Sequence, residues 1–284
     1  MSPNNYVVQD YEPRTFSEYI GQQHIIRELK ALLSVDSTKS ILLRGNYGLG
    51  KTTLAKIYAS YRGDWTYQPI PKIYDKLNTK ASTHVIDEVH LVSDFEKLYN
   101  EMDNHTFVFC TTEVENLPDP FVSRCIEFVL SSYSEDDLSK IIKQYKNRKR
   151  ISVEEDGIKV IASRSKGTPR TALQLLNRVY ALGHLENFKL TSENIKDALD
   201  SIKIFDGGMM EDDIKYLTLL NESKQPISLN TLSATLLRSK HYISSSLEPY
   251  LMNMGLMIVT PRGRIITERG TRFIERYKET PDDK

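Results

Sequence analysis

A chain of 284 residues has room for two or three domains, each with its own core, which excludes a miniature scaffold. The 38 Lys and Arg balance 38 Asp and Glu only by cancellation: residues 1–139 carry −7, 140–178 carry +8, 179–230 carry −4, 231–278 carry +5 and the tail −2. Net charge therefore identifies no partner, whereas two basic segments are each able to meet phosphates locally.

Cys110 and Cys125 are too few for a disulfide framework or a four-ligand zinc site, which suits a reducing compartment. No apolar run reaches the roughly 18–20 residues of a membrane span, and Met1-Ser2-Pro3-Asn4-Asn5 has no signal-peptide pattern. The expectation is a cytoplasmic protein with no membrane contact.

In chain order, apolar residues at helical spacing (Ile20, Ile25, Ile26, Leu29, Leu32, Leu33) predict a helix over 17–34. Residues 40–44 read as a buried strand, followed by a glycine loop and a helix from Lys51 to Ser60. Trp65-Thr66-Tyr67 reads as core or loop. Further strands are expected at 84–87, ending in acidic residues, and at 106–110, ending in Thr111 and Thr112. Residues 94–103 supply a helix between them, with Phe95, Leu98 and Tyr99 on one face. Alternating strands and helices imply a parallel α/β sheet covered on both faces.

From Ser134 the pattern is wholly helical, at 134–146, 154–165, 169–182 and 191–200, and reads as a small helical domain. Helices near 211–223, 229–237 and 243–254 then precede a hairpin of 256–259 and 264–267, which together read as a winged helix. Asp206-Gly207-Gly208 is the expected linker. The division is 1–131 for the α/β domain, 132–206 for the helical domain and 207–284 for the winged helix.

Gly45-Asn46-Tyr47-Gly48-Leu49-Gly50-Lys51-Thr52 fits G-x-x-x-x-G-K-[ST] between a strand and a helix, the setting a phosphate-binding loop requires. Glycines let backbone N–H groups curl into an anion cradle and the helix N-terminus adds positive potential. Lys51 then reaches the terminal phosphates, Thr52 holds a magnesium ion, and Thr53 completes the nucleotide set. Asp87-Glu88 follows a strand, so that Asp87 serves the magnesium while Glu88 deprotonates the attacking water. Thr111 and Thr112 end the next strand, where open α/β sheets place ligand-binding groups. His84 and His90 are at metal-ligand spacing with no cysteine pair and read as structural. The run Lys146-Asn147-Arg148-Lys149-Arg150 reads as a solvated helix end.

Taken together, these motifs resemble the AAA+ ATPases and, within them, the RuvB family of Holliday junction branch-migration motors. Residues 11–22 are similar to the family's adenine-side opening segment, and 45–52 and 87–90 to its two nucleotide motifs. The resemblance implies that Arg124 of Ser123-Arg124 is an arginine finger acting on a neighbour's site. It further implies that Tyr133 opens the lid near the base and that Arg170 of Gly167-Thr168-Pro169-Arg170 senses nucleotide. Glu248-Pro249-Tyr250-Leu251 and Thr260-Pro261-Arg262-Gly263-Arg264 resemble the family's winged-helix signature. DNA contacts are expected there from Arg262 and Arg264.

What the resemblance implies is an ATP- and Mg2+-dependent motor on duplex or branched DNA, assembled as a homo-oligomer, a hexameric ring. Residues 110–125 are equally similar to clamp-loader subunits, which leaves that class, and a nucleotide-switched DNA-binding scaffold, as alternatives. Two departures stand out. Glu12 occupies the place of an arginine in the opening segment. Between His90 and Thr111 there is too little chain for the hairpin that docks the family's RuvA partner, so a RuvA-type partner is not expected.

Overall fold

Five short runs, most rich in β-branched and aromatic side chains, build a parallel sheet in the computed structural model, which describes residues 12–69, 82–223 and 225–279. They are β1 (Ile41–Arg44), β2 (Trp65–Gln68), β3 (Thr83–Ile86), β4 (Thr106–Thr111) and β5 (Ile126–Val129), ordered β2-β3-β4-β1-β5. Every pairing is parallel, with Ile41 opposite Val108 and Ile126, Thr83 opposite Thr106, and Trp65 opposite Thr83. The central strands β1, β3 and β4 are apolar runs buried almost throughout, as strands covered on both faces must be. Leu42, Ile86, Phe107 and Phe109 pack there with Leu98 and Phe121.

β2 and β5 escaped the sequence reading because both are four-residue edge strands whose apolar side chains are interrupted by polar ones, Thr66 in β2 and Glu127 in β5. The helix expected from 17 begins only at Gln23 and runs to Ser34 (α1). Gly21 and Gln22 sit at φ 79° and 52°, in the left-handed region, and break any helix through them. Tyr11, the first residue of the opening segment, lies outside the described residues.

α2 (Lys51–Ser60) follows β1, α3 (Phe95–Met102) precedes β4, and the single turn α4 (Asp119–Val122) precedes β5. The helical stretch comprises α5 (Glu135–Lys149), α6 (Glu155–Ser163), α7 (Pro169–Glu186) and α8 (Ser192–Ser201). Ser134 caps α5 by accepting the Asp137 N–H at 3.1 Å. Acidic residues fill the first turn of α5 and Lys146, Arg148 and Lys149 its last, so the basic run complements the helix dipole.

The chain forms two compact units that divide between Lys196 and Asp197. The second holds α9 (Glu211–Glu222), α10 (Leu229–Leu236), α11 (Lys240–Tyr242), a π-helical stretch Ile243–Leu247, α12 (Glu248–Asn253), the hairpin β6 (Met257–Thr260) and β7 (Gly263–Ile266), and α13 (Glu268–Glu279). Its core gathers Tyr216, Leu217, Leu232, Ile243, Leu251 and Ile274. Asp206–Gly208, expected as a linker, is a 3-10 turn with Gly208 buried. α13 was not foreseen; its polar sequence buries Ile274 and lays Phe273 and Tyr277 against the core. Among the described residues no helix is long and apolar enough to cross a membrane.

Candidate active site

The loop between β1 and α2 turns through positive-φ glycines, and at two of them a side chain would crowd a neighbouring element. A Cβ on Gly50 would lie 2.7 Å from the Tyr19 hydroxyl, and one on Gly48 3.0 Å from the Arg170 Cβ. The loop is thus gripped by neighbouring elements as well as bent by its own sequence. Lys51 opens α2 and folds back over the loop, its Nζ donating to Gly45 O at 2.7 Å and Asn46 O at 3.0 Å. Only 7 % of Lys51 is exposed, and burial holds its ammonium below the usual lysine pKa even with Glu88 and Asp87 nearby. Tyr47 is exposed beside it, its ring centroid 5.9 Å from that ammonium.

Asp87 leaves the end of β3 at the foot of α2. Its Oδ2 accepts the Thr52 hydroxyl at 2.7 Å and the Tyr67 phenol at 3.4 Å, while Oδ1 accepts the Glu88 N–H at 3.1 Å. Glu88 has φ 48° and ψ 49°, a left-handed conformation that a non-glycine residue adopts only under constraint. Its carboxylate meets Thr112, whose hydroxyl donates to Oε2 at 3.4 Å, and His90, whose Nδ1 lies 3.5 Å away. His90 Nδ1 is also 3.0 Å from Thr111 Oγ1, so the two threonines divide: Thr112 faces the acid and buried Thr111 faces the imidazole. Thr52 and Asp87 together offer only oxygen donors, a set suited to a hard divalent cation that takes its remaining ligands from water and phosphate.

Tyr19 and Tyr133 clamp the loop from behind. The Tyr19 hydroxyl donates to Leu49 O and Gly50 O, each at 3.3 Å, and the Tyr133 hydroxyl to Leu49 O at 3.1 Å and Tyr19 Oη at 3.0 Å. Burial pushes the Tyr133 phenol up to about 12 and raises that of Tyr19 well above its ordinary value, so both remain donors. The Tyr133 ring lies so close to Gly21 that a Cβ there would sit 2.5 Å from it. Tyr133, expected near the base, therefore spends its hydroxyl on the loop while its ring still lines the cleft.

Thr168 caps α7 and Pro169 takes its first position, which aims the exposed Arg170 at the loop; the Arg170 N–H donates to Gly48 O at 3.4 Å. Lys51, Thr52, Thr53, Asp87, Glu88 and Arg170 all line one cleft of about 760 Å³. Arg124 is outside it. That side chain is exposed, its guanidinium 4.7 Å from the Tyr99 ring centroid and donating to Pro120 O at 3.3 Å. Glu12 turns its carboxylate to Lys56, at 3.1 and 3.2 Å. Sequence reasoning missed Tyr19, Lys56 and Tyr67; only the spacing of Lys56, one turn beyond Thr52 on α2, gave a usable signal.

In the winged helix, Arg264, expected among the DNA contacts, is engaged by a neighbouring carboxylate. Its guanidinium is held by Glu248, Nε to Oε1 at 2.8 Å and Nη2 to Oε2 at 3.2 Å, and Glu248 Oε1 also accepts the buried Tyr216 hydroxyl at 2.8 Å. The Arg264 side chain is 16 % exposed and paired through two hydrogen bonds with a carboxylate 3 % exposed, so its charge is already neutralised within the fold. Arg262 is exposed at the turn between β6 and β7, which Ile227 pins from below through reciprocal backbone hydrogen bonds with Arg264 at 2.8 and 3.0 Å.

Residues 133–205 match the family description "RuvB AAA lid domain" and residues 206–275 "RuvB C-terminal winged helix domain". Among curated relatives, the Holliday junction branch migration complex subunit RuvB of Campylobacter hominis is 31% identical over 310 positions, covering 94% of this chain and 91% of that protein. The RuvB subunit of Ligilactobacillus salivarius is 32% identical over 301 positions, covering 91% and 90%. Both matched spans exceed the 284 residues of this chain, so these relatives carry segments that it lacks. The solved RuvB branch migration motor of Thermotoga maritima superimposes with a TM-score of 0.79 at 29% identity, over 93% of this chain and 98% of that one.

Proposed function

Because this chain belongs to the RuvB family of AAA+ Holliday junction branch-migration motors, a nucleotide-binding ATPase with a RuvB lid and winged helix, we propose how its own residues divide the work. The winged helix and the full-length match set aside the clamp-loader and scaffold alternatives. One observation carries the reading: the loop lysine, the Thr52–Asp87 pair, Glu88 and Arg170 converge on a single cleft.

ATP enters with its phosphates over residues 45–53, where backbone N–H groups and the start of α2 receive them. Lys51 exchanges its two carbonyl acceptors for phosphate oxygens, a change favoured because those carbonyls are neutral and the phosphates charged. Thr52 and Asp87 would hold magnesium, which when bound would supply neutralisation of the developing phosphate charge. Glu88 accepts a proton from the attacking water, and Thr112, bonded to Glu88, orients the pair. Arg170 contacts the phosphates from the lid, and Tyr133 seats the lid edge of the nucleotide while bracing the loop.

Arg124 completes the site of a neighbouring copy in a homo-oligomeric, hexameric ring. Its exposure supports that role. Arg262 contacts phosphates of duplex or branched DNA from the tip of the wing, a sequence-independent contact. The three-part division at 131/132 and 206/207 accompanies this assignment of tasks. Among the described residues between Asp87 and Thr106 there is only the 3-10 turn Val89–Leu91 and α3, with no hairpin. This supports a motor that does not dock a RuvA-type subunit in the family's usual way.

Mixing Arg124→Ala with Lys51→Ala chains tests the in-trans arginine. Mixtures should hydrolyse ATP faster than either variant alone; rates no higher than the variants' own would reject it. Duplex or four-way DNA should stimulate hydrolysis by the purified chain with no second subunit. Stimulation that requires a junction-binding protein contacting residues 91–105 would reject the partner-free reading.

A further inference from the structure

An exposed tyrosine on an edge strand ordinarily turns its hydroxyl to water. Tyr67 does not: although 37 % exposed as a residue, it sends its phenol inward to Asp87 Oδ2 at 3.4 Å. Strand pairing brings it there, since Tyr67 stands opposite Val85 and the Asp87 N–H donates to Gln68 O at 3.0 Å. The ring is held in turn. Lys56 Nζ lies 4.6 Å from the Tyr67 centroid, a cation–π contact, and is itself held by both oxygens of Glu12. Glu12, Lys56, Tyr67 and Asp87 thus form one chain of contacts along a wall of the cleft that holds Thr52.

We propose that Tyr67 is a positioning residue for the Asp87 carboxylate, seated by the Lys56–Glu12 pair, and that it sets how readily the site takes up magnesium with its nucleotide. The inference rests on the assignment of Thr52 and Asp87 to the metal. Without Tyr67 the carboxylate keeps the Thr52 hydroxyl on Oδ2 and the Glu88 N–H on Oδ1, both from its own side chain's immediate surroundings; a further donor on Oδ2 from the neighbouring strand narrows the rotation left about its Cβ–Cγ bond. Donors of this kind behind a ligand govern its affinity for the metal. The Arg-to-Glu departure at residue 12 acquires a task in this arrangement: an arginine there would repel Lys56, while Glu12 anchors it.

The test is the Mg2+ dependence of binding a fluorescent ATP analogue to the full chain, read by anisotropy, with no turnover required. Tyr67→Phe keeps the ring and its cation–π contact and removes only the hydroxyl. It should raise the Mg2+ half-point by about 3- to 10-fold, below the larger losses seen behind buried ligands because this bond is long and partly exposed. Affinity in excess EDTA should stay unchanged. Lys56→Met should shift the half-point in the same direction by a smaller factor; no shift would overturn the tether. Asp87→Asn separates the two levels. If it keeps the wild-type Mg2+ response, the assignment of Asp87 to the metal falls. If it loses that response while Tyr67→Phe matches or improves on wild type, the positioning role of Tyr67 alone falls.

Discussion

Lys51 and Arg264 are both cations inside conspicuous basic-and-glycine motifs, and the structure treats them in opposite ways. Lys51 rests on two neutral carbonyls of its own loop, contacts that an anion displaces. Arg264 is fixed by both oxygens of the buried Glu248, which a surface phosphate has no means to displace. One residue rests on neutral acceptors of its own loop and the other on a buried counter-ion. A cation's availability is decided by what already neutralises it, not by the motif in which it sits.

The largest expected effect is on the cation with the buried counter-ion. Arg264→Ala leaves Glu248 buried without its counter-ion and should cost about 3 kcal/mol of winged-helix stability, read by denaturant unfolding. Replacing both partners by apolar residues, Arg264→Met with Glu248→Leu, should recover most of that loss. If Arg264→Ala melts like wild type and loses DNA affinity instead, the contrast with Lys51 is broken.

Lys51→Ala should do the reverse: fold normally and lose ATP hydrolysis on the order of 10²–10³-fold, measured as phosphate release. A smaller effect belongs to Arg262, the exposed arginine of the wing. Arg262→Ala should weaken duplex binding several-fold and lower the slope of log affinity against log salt by about 1, with unfolding changed by less than about 0.5 kcal/mol. An unaltered salt slope would remove Arg262 from the DNA surface.

The smallest effect sharpens the comparison through pH. Because burial lowers the Lys51 pKa, the native state binds fewer protons than the unfolded chain between that lowered value and the ordinary lysine value of 10.5. Wild-type stability therefore gains with rising pH across that window. Lys51→Met, relieved of a desolvated charge, should melt a few degrees above wild type at pH 7, and the gap should narrow as pH approaches 10.5. A gap that widens over the same range would mean that Lys51 stabilises the fold it occupies.

The sequence by itself determined the phosphate loop, the acidic strand end, the helical lid and the winged helix, because each rests on local chemistry. Glycines at fixed offsets, apolar runs of strand length and 3.6-residue periodicity need no tertiary partner to be read. α2 falls at Lys51–Ser60, where the pattern predicts it, and the resemblance of residues 248–264 to the RuvB winged helix agrees with the match over 206–275. Tertiary structure alone decided the rest. The edge strands β2 and β5 exist because a sheet offers them hydrogen-bonding partners, and α1 starts late because Gly21 and Gln22 turn left-handed under the Tyr133 ring. Arg264 pairs with Glu248, sixteen positions away, and Tyr67 reaches Asp87 across twenty. These pairings join residues distant in sequence through packing, and local composition carries no record of which donor meets which acceptor.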